Sequence, residues 1–309
     1  MKKIKLYTEP SHLKEKASIV TILIFVLLVV YVLGLSIPII WAVIVSFMNK
    51  NDYINYFGVL RAFDSGVRYT FDNYIFSWEN LKVTTIATEA HPIEMEYGVP
   101  DLLLHSVFYA FGSAFAFTLC PIIVAYLAAR FKYAFSKILY SFVLITMTLP
   151  IVGSMASEIT MLHNLGLYDS LPSVFILRFN FLSIYFLILY AQYSSIPQEY
   201  TEAAKVDGAS NLRIMLQIVI PQSFNTIVTV FVLSFISYWN DYQIPLLYFP
   251  SYPTAAFGIY DFVQNASPEG NYIPVQLAAT IIMALPIVIV FIIFNKKLRV
   301  SVDMGGIKG

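Results

Sequence analysis

Charged residues and cysteine are both scarce in this 309-residue sequence. Asp, Glu, Lys and Arg make up only 12% of it, whereas about a quarter of a soluble domain is charged. The single cysteine, Cys120, excludes an internal disulfide and any metal site built from several thiolates. The 19 basic and 19 acidic residues cancel, which gives no reason to expect nucleic acid as a partner. With 58% hydrophobic residues, the composition predicts a membrane-embedded protein.

Long stretches without any charged residue predict where the chain crosses the membrane. A helix rises about 1.5 Å per residue, so about 20 apolar residues cross the hydrocarbon core. Six such runs occur: 17–49, 102–129, 138–157, 179–198, 214–240 and 270–295. They predict an all-α integral membrane fold with six transmembrane helices. A seventh charge-free run, 242–260, contains three prolines and is predicted to be an irregular connection.

The distribution of Lys and Arg predicts the orientation of the chain. Fourteen of the 19 basic residues lie in the segments 1–16, 130–137, 199–213 and 296–309. These segments should share the cytoplasmic face, so that 1–16 and 296–309 form cytoplasmic tails. The long, acidic loop 50–101 should then be an extracytoplasmic subdomain between the first helix, 17–49, and a five-helix core, 102–295. The apolar part of the first run is too long for a signal peptide and is predicted to be retained.

The connection 195–221 has the features of two short helices joined by a turn. Ser195 and Gln198 have the spacing of a capping box, which predicts a helix starting at Ser195. Gly208 can adopt a positive φ angle and would turn the chain after that helix. The segment therefore predicts a helix–turn–helix elbow on the cytoplasmic face, in which two small alanines leave a flat surface for another protein.

The same segment carries a specific motif. The motif begins with Glu-Ala-Ala at Glu202-Ala203-Ala204, and Gly208 follows after three residues. After nine further residues comes Ile218, and after one more residue the motif ends with the apolar Ile220 followed by Pro221. This pattern resembles the signature loop of permease subunits of binding-protein-dependent ABC importers, with Ile220 where that family usually has Leu. The sequence is most similar to maltose-type carbohydrate permeases, including the Gly-rich basic end Gly305–Gly309.

The resemblance implies the type I importer permease fold and a set of partners. These would be a second homologous permease, two cytoplasmic ATPase subunits, an extracytoplasmic sugar-binding protein and the lipid of the bacterial inner membrane. The elbow would contact the ATPase through Glu202, Ala203, Ala204, Asp207 and Gly208, and the tail residues Gly305, Gly306 and Lys308 would lie near that interface. ATP and Mg would bind to the partners, because this sequence lacks a G-x-x-x-x-G-K-[ST] phosphate loop. The chain would itself carry no cofactor and would not be an enzyme.

Sugar binding needs aromatic faces and polar groups, which the fifth run offers. Phe231, Phe235 and Asn240 are candidate substrate-pathway residues, although core packing or hydrogen bonding between helices would also account for them. Glu158 and Arg178 edge two of the runs and are predicted to reach the external interface.

Two other classes of membrane protein remain open at this point. An ion-coupled secondary carrier would need acidic residues near the midplane or internal repeats, and an integral-membrane enzyme would need a catalytic motif within the spans. The six runs contain no central charge and no such motif. The four histidines lack metal-binding spacing, so no metal site is predicted.

Overall fold

We describe the protein from a computed structural model that covers residues 19–55, 66–131, 134–149, 153–265 and 267–303. The predicted tail 1–16 and the end of the chain after Asp303 lie outside these described residues.

The regular structure of the described chain is helical apart from one small hairpin and an isolated bridge between Met48 and Tyr69. The helices are α1 Ile19–Ser46, α2 Lys50–Asn55, α3 Asp72–Asn80, α4 Val99–Arg130, α5 Ala134–Thr148, α6 Ser154–Asn164, α7 Leu171–Arg178, α8 Ile184–Ser195, α9 Glu199–Val206, α10 Asn211–Ile214, α11 Ile220–Gln222, α12 Phe224–Trp239, α13 Gln243–Tyr248, α14 Ala255–Gln264 and α15 Ile273–Asp303. A π-helical turn, Met215–Val219, joins α10 to α11. The antiparallel strands β1 Val83–Thr84 and β2 Glu96–Tyr97 form the hairpin.

Three helices are long and apolar enough to cross a membrane. These are α1, α4 and the first 23 residues of α15, and they coincide with three of the predicted runs. The predicted run 214–240 forms a fourth candidate span that bends by 76° between α11 and α12. The break falls at Ser223, two residues after Pro221.

The other two predicted runs form shorter helices. The run 138–157 includes most of α5 and the start of α6, which begins after Gly153 in a left-handed conformation, with φ of 86°. In the run 179–198, α8 has 12 residues, fewer than the roughly 20 needed to cross the hydrocarbon core upright. The six-helix count and the orientation of the termini therefore stay predictions.

The prediction of an irregular connection at 242–260 is wrong, since α13 and α14 form there. Pro245 is the third residue of α13, where a backbone N–H has no partner within the helix and none is lost. Pro253 precedes α14, and the neighbouring Thr254 caps that helix by accepting a hydrogen bond from the Phe257 N–H at 3.4 Å. Each proline thus occupies a position that a helix tolerates.

Helix α4 is at the centre of the bundle and packs against α8 and α12, while α12 and α1 pack against α15. Ala110 and Ala114 are fully buried against Phe235 and Trp239 of α12. Their small side chains let the two helix backbones approach closely, as in other membrane helix contacts.

Within the loop 50–101, the segment between the two strands contacts connections at the end of the bundle. Thr88, between the two strands, donates a hydrogen bond to the Asp169 carboxylate at 2.5 Å, and Ser251 Oγ donates to the same carboxylate at 2.6 Å. Asp169 is buried and has a positive φ of 56°. It therefore ties this loop to the connections that precede α7 and follow α13.

Candidate coupling elbow and membrane pathway

Helix α9 ends in a tight turn at Gly208, as predicted. The backbone N–H groups of Asp207, Gly208 and Ala209 donate to the carbonyls of Ala203, Lys205 and Ala204 at 3.1, 3.0 and 2.9 Å. The φ angle of Gly208 is +79°, a conformation that costs other residues free energy because of their Cβ atom. A new helix, α10, follows after Ser210, whose Oγ accepts a hydrogen bond from the Arg213 N–H at 3.3 Å.

The predicted start of this helix at Ser195 is wrong. Helix α8 extends through Ser195, whose Oγ donates to the Gln192 carbonyl at 2.8 Å. Pro197 disfavours helical geometry at the residue before it, and Ile196 is accordingly extended, with ψ of 126°. Helix α9 starts only at Glu199, after Gln198, which makes no side-chain capping hydrogen bond.

The elbow is fixed to the C-terminal end of α4. Tyr126 Oη donates to the Asn211 carbonyl at 3.2 Å, and Arg130 Nη1 donates to the Ile196 carbonyl at 3.0 Å. Ile214 is fully buried in the same core cluster, against which Ala204 also packs. Since both ends of the elbow are attached to α4, a force applied to α9 would be transmitted to the bundle.

The outer surface of the elbow combines acidic, small and apolar residues. Glu202, Ala203, Asp207 and Gly208 are exposed and lie together, whereas Ala204 is half-buried. The sequence analysis missed three exposed apolar side chains of the same segment: Tyr200, Val206 and Leu212, which are 53%, 88% and 61% exposed. Each of the three is an apolar residue in an otherwise polar connection, and this is the signal by which the sequence could have revealed them. Exposed apolar residues that cluster are typical of protein contacts.

A groove of about 270 Å³ lies in the angle between the two arms of the elbow. Its lining residues are Ala204, Asp207, Ala209, Arg213, Ile214, Gln217 and Ile218. Arg213 Nε donates to Gln217 Oε1 at 3.0 Å along one wall. The predicted coupling residues Ala204 and Asp207 therefore lie at a concave surface that a protruding side chain of another protein could enter.

Two of the three candidate pathway residues lie together on α12. Phe231 and Phe235 are stacked with their ring centroids 6.5 Å apart, and Phe231 also contacts Phe111 of α4 edge-on at 5.4 Å. Phe235 is only 7% exposed and packs against α4 and Trp239. Phe231 is partly exposed, so it is the more accessible of the two within this chain.

Asn240 is separate from this pair, at the far end of α12. It is exposed and its Nδ2 donates to the Ile236 carbonyl at 2.8 Å. It lines a groove of about 490 Å³ in which Tyr242 stacks on Tyr260, with ring centroids 4.7 Å apart. The sequence analysis missed Tyr260 because its helix, α14, was predicted to be irregular.

Comparison with known proteins places this geometry in a family. Residues 118–299, which include the elbow and α12, match the family described as the inner membrane component of binding-protein-dependent transport systems. The chain belongs to this family. It is a transport permease, and the rival interpretations as a secondary carrier or an enzyme are set aside.

Individual relatives agree with the family. The permease is 22% identical to the diacetylchitobiose uptake system permease protein NgcG of Streptomyces coelicolor, over 90% of this chain and 86% of that protein. It is 29% identical to the sn-glycerol-3-phosphate transport system permease protein UgpE of Escherichia coli, over 63% and 71% respectively. Its fold is similar to a chain of a bacterial ABC transporter that imports the polysaccharide alginate, with a TM-score of 0.71, 19% identity and coverage of 90% and 96%. The predicted importer permease fold is confirmed.

A charged network in the permease lies at the end of the bundle away from the elbow. Arg178 Nη2 is 3.4 Å from Tyr109 Oη and 3.8 Å from Asp241 Oδ2, and its guanidinium lies over the Tyr238 ring. Tyr109 Oη donates to Asp241 Oδ2 at 2.8 Å. That Arg178 reaches the external interface stays a prediction, and the structure adds one acidic and two aromatic partners for it, from α4, from α12 and from the residue pair that follows α12.

Glu158, the second residue predicted to reach the interface, also has a partner within the permease. Its Oε2 accepts a hydrogen bond from Tyr248 Oη at 2.7 Å, which links α6 to α13. The predicted tail residues Gly305, Gly306 and Lys308 lie outside the described residues. Within the described residues, no group of three or more His, Cys, Asp or Glu side chains could hold a metal ion.

Proposed function

We propose that this permease forms half of the pathway by which an ATP-driven importer brings a sugar or oligosaccharide across the bacterial inner membrane. A second homologous permease would form the other half, and an extracytoplasmic binding protein would deliver the substrate. Two relatives support a carbohydrate: one is named for diacetylchitobiose uptake and a structural neighbour imports alginate. Within this proposal the chain crosses the membrane six times, with both termini in the cytoplasm.

We further propose that the elbow couples this pathway to two cytoplasmic ATPase subunits, which bind ATP and Mg. The observation that carries this step is the elbow's combination of an exposed contact surface with rigid attachment to α4. ATPase closure would move α9 together with the bundle and favour one of two membrane arrangements. Coupling of this kind requires that the partner bind the two arrangements with different affinity. The tail residues Gly305, Gly306 and Lys308 complete the interface in this proposal.

The pathway itself is proposed to include Phe231, Phe235 and Asn240. Phe231 is partly exposed and offers an aromatic face, while Asn240 offers an amide that can hydrogen-bond to hydroxyl groups. Phe235 supports Phe231 by stacking against it.

A charge reversal at Glu202 tests the coupling role. In the complete transporter reconstituted in vesicles, Glu202→Lys should abolish ATP-driven uptake while the permease stays in the membrane, because the acidic residue would no longer complement its partner. Glu269→Lys makes the same charge change at another exposed site, between α14 and α15, and should leave uptake unchanged. Uptake by Glu202→Lys at the unmodified rate would show that the elbow does not couple the subunits.

A further inference from the structure

One side of helix α3 is attached to the ends of two membrane spans. Asn73 Nδ2 donates to the carbonyls of Ser46 and Met48 at 2.8 and 2.9 Å, at the end of α1. Ser77 Oγ donates to the Val275 carbonyl at 3.0 Å, in the first turn of α15. Both Asn73 and Ser77 are buried. Helix α3 therefore lies at the level where α1 and α15 leave the hydrocarbon core.

The opposite side of α3 carries an exposed apolar stripe. Phe71, at the N-cap, and Ile75 and Trp78 within the helix are 69%, 55% and 51% exposed. Successive helical residues are about 100° apart, so these three side chains fall within roughly 60° of each other, facing away from Asn73 and Ser77.

The polar residues of α3 form a separate exposed side. Asp72 and Glu79 are exposed and lie between the apolar stripe and the buried side on the helical wheel. Helix α3 is thus divided into a side bound to protein, an apolar side and an acidic side. An arrangement with one apolar and one charged side is typical of helices that lie in a membrane surface.

The surroundings of the stripe favour lipid as its occupant. The Phe71 ring contacts Phe47 edge-on at 5.1 Å, which continues the stripe to the end of α1. Just below, Ile39, Ile40 and Val43 of α1 are 66%, 54% and 44% exposed, on a helix that is apolar over its whole length.

A further contact at this level also fits the membrane surface. Lys50 Nζ lies 3.9 Å from the centre of the Tyr272 ring, beside the first turn of α15. Aromatic and long basic side chains are enriched where spans meet the polar headgroups.

We propose that α3 is an interfacial helix, with Phe71, Ile75 and Trp78 inserted at the boundary between headgroups and acyl chains next to the end of α1. This lipid contact would hold the loop 50–101 at a fixed height above the membrane surface. The proposal requires only that α1 and α15 span the membrane, and it is independent of the substrate and of the coupling role of the elbow.

Site-directed spin labelling of the complete transporter in lipid vesicles tests this placement. This chain has a single cysteine, so Cys120→Ala, in a transporter whose partner subunits also have their cysteines replaced, provides a background in which one label can be introduced. Ile75→Cys reports on the apolar stripe, and Glu79→Cys, on the acidic side of the same helix, is the matched control. Trp78→Cys provides a second stripe position should the Ile75 variant fail to assemble.

For each label, the measured quantity is the ratio of its collision rate with membrane-dissolved oxygen to its collision rate with a water-soluble nickel chelate. This ratio should be severalfold higher at Ile75 than at Glu79. High nickel accessibility at Ile75 would show that the stripe faces water. Low accessibility to both reagents would show that protein, either the second permease or an external partner, covers it. Either result would overturn the proposal.

Discussion

The most informative single change lies in the charged network between α4, α7 and α12. Asp241 Oδ2 accepts a hydrogen bond from Tyr109 Oη at 2.8 Å and lies 3.8 Å from Arg178 Nη2, while its Oδ1 accepts from the Ile244 N–H at 3.2 Å. Asp241→Asn keeps the size of the side chain and removes its charge. Among the described residues, the guanidinium of Arg178 would then have no carboxylate at ion-pair distance, although its partners Tyr109 and Tyr238 remain.

The expected loss of stability follows from burial. Removing one partner of a fully buried ion pair costs about 3–5 kcal/mol, because the other charge is left uncompensated. About a fifth of each side chain is exposed here, 23% for Arg178 and 22% for Asp241, so that water screens part of the interaction. We therefore expect Asp241→Asn to cost about 2–3 kcal/mol, and Tyr109→Phe, which removes a single hydroxyl, about 1 kcal/mol.

Thermal unfolding of the purified transporter measures this difference. At roughly 2–4 °C per kcal/mol, Asp241→Asn should lower the midpoint by ~4–12 °C, more than Tyr109→Phe does. The double variant Arg178→Met with Asp241→Asn should recover part of the loss, because no charge remains stranded. An unchanged midpoint for Asp241→Asn, or a double variant less stable than the single one, would refute the reasoning.

Three further predictions concern the elbow, the loop 50–101 and the tail. Gly208→Ala should reduce ATP-driven uptake, because a φ of +79° costs a residue with a Cβ about 1–2 kcal/mol, although the added methyl would meet no atom within 4 Å. Gly208→Asn should retain more activity than Gly208→Ala. Equal uptake by the unmodified protein and both variants would contradict this prediction. Hydrogen bonds from Arg68 lower the pKa of Asp52 in the folded protein. The stabilisation that these hydrogen bonds give is therefore complete above the unfolded pKa of about 3.9, and it is lost as the pH falls through the lower pKa of the folded state. The protection of the α2 amides from hydrogen exchange should show this pH dependence in the unmodified protein and should not show it in Asp52→Asn. Identical pH profiles for the two proteins would count against the prediction. Deleting residues 305–309 should lower substrate-stimulated ATP hydrolysis, and an unchanged rate would exclude the tail from the interface.

The sequence by itself determined the features that depend on local composition and spacing. Charge-free runs located α1, α4 and α15, because only a long apolar helix satisfies its backbone within lipid. The spacing around Gly208 predicted the turn of the elbow, because a positive φ angle favours glycine whatever surrounds it. The packing of Ala110 and Ala114 against α12 follows a similarly local rule, since small residues one turn apart favour close helix contact.

The tertiary structure alone decided which residues meet across long distances in the chain. Arg178 and Asp241 are 63 positions apart in the sequence. No local sequence pattern predicts that they meet, or that α4 places Tyr109 in contact with both. The same holds for Asp169, which Thr88 and Ser251 approach from two other connections. Helices α13 and α14 formed despite their prolines because each proline occupies a helix start or a connection, a distinction that residue counts do not make. Local preference fixes the type of an element, whereas the packing of distant elements fixes the partners of its side chains.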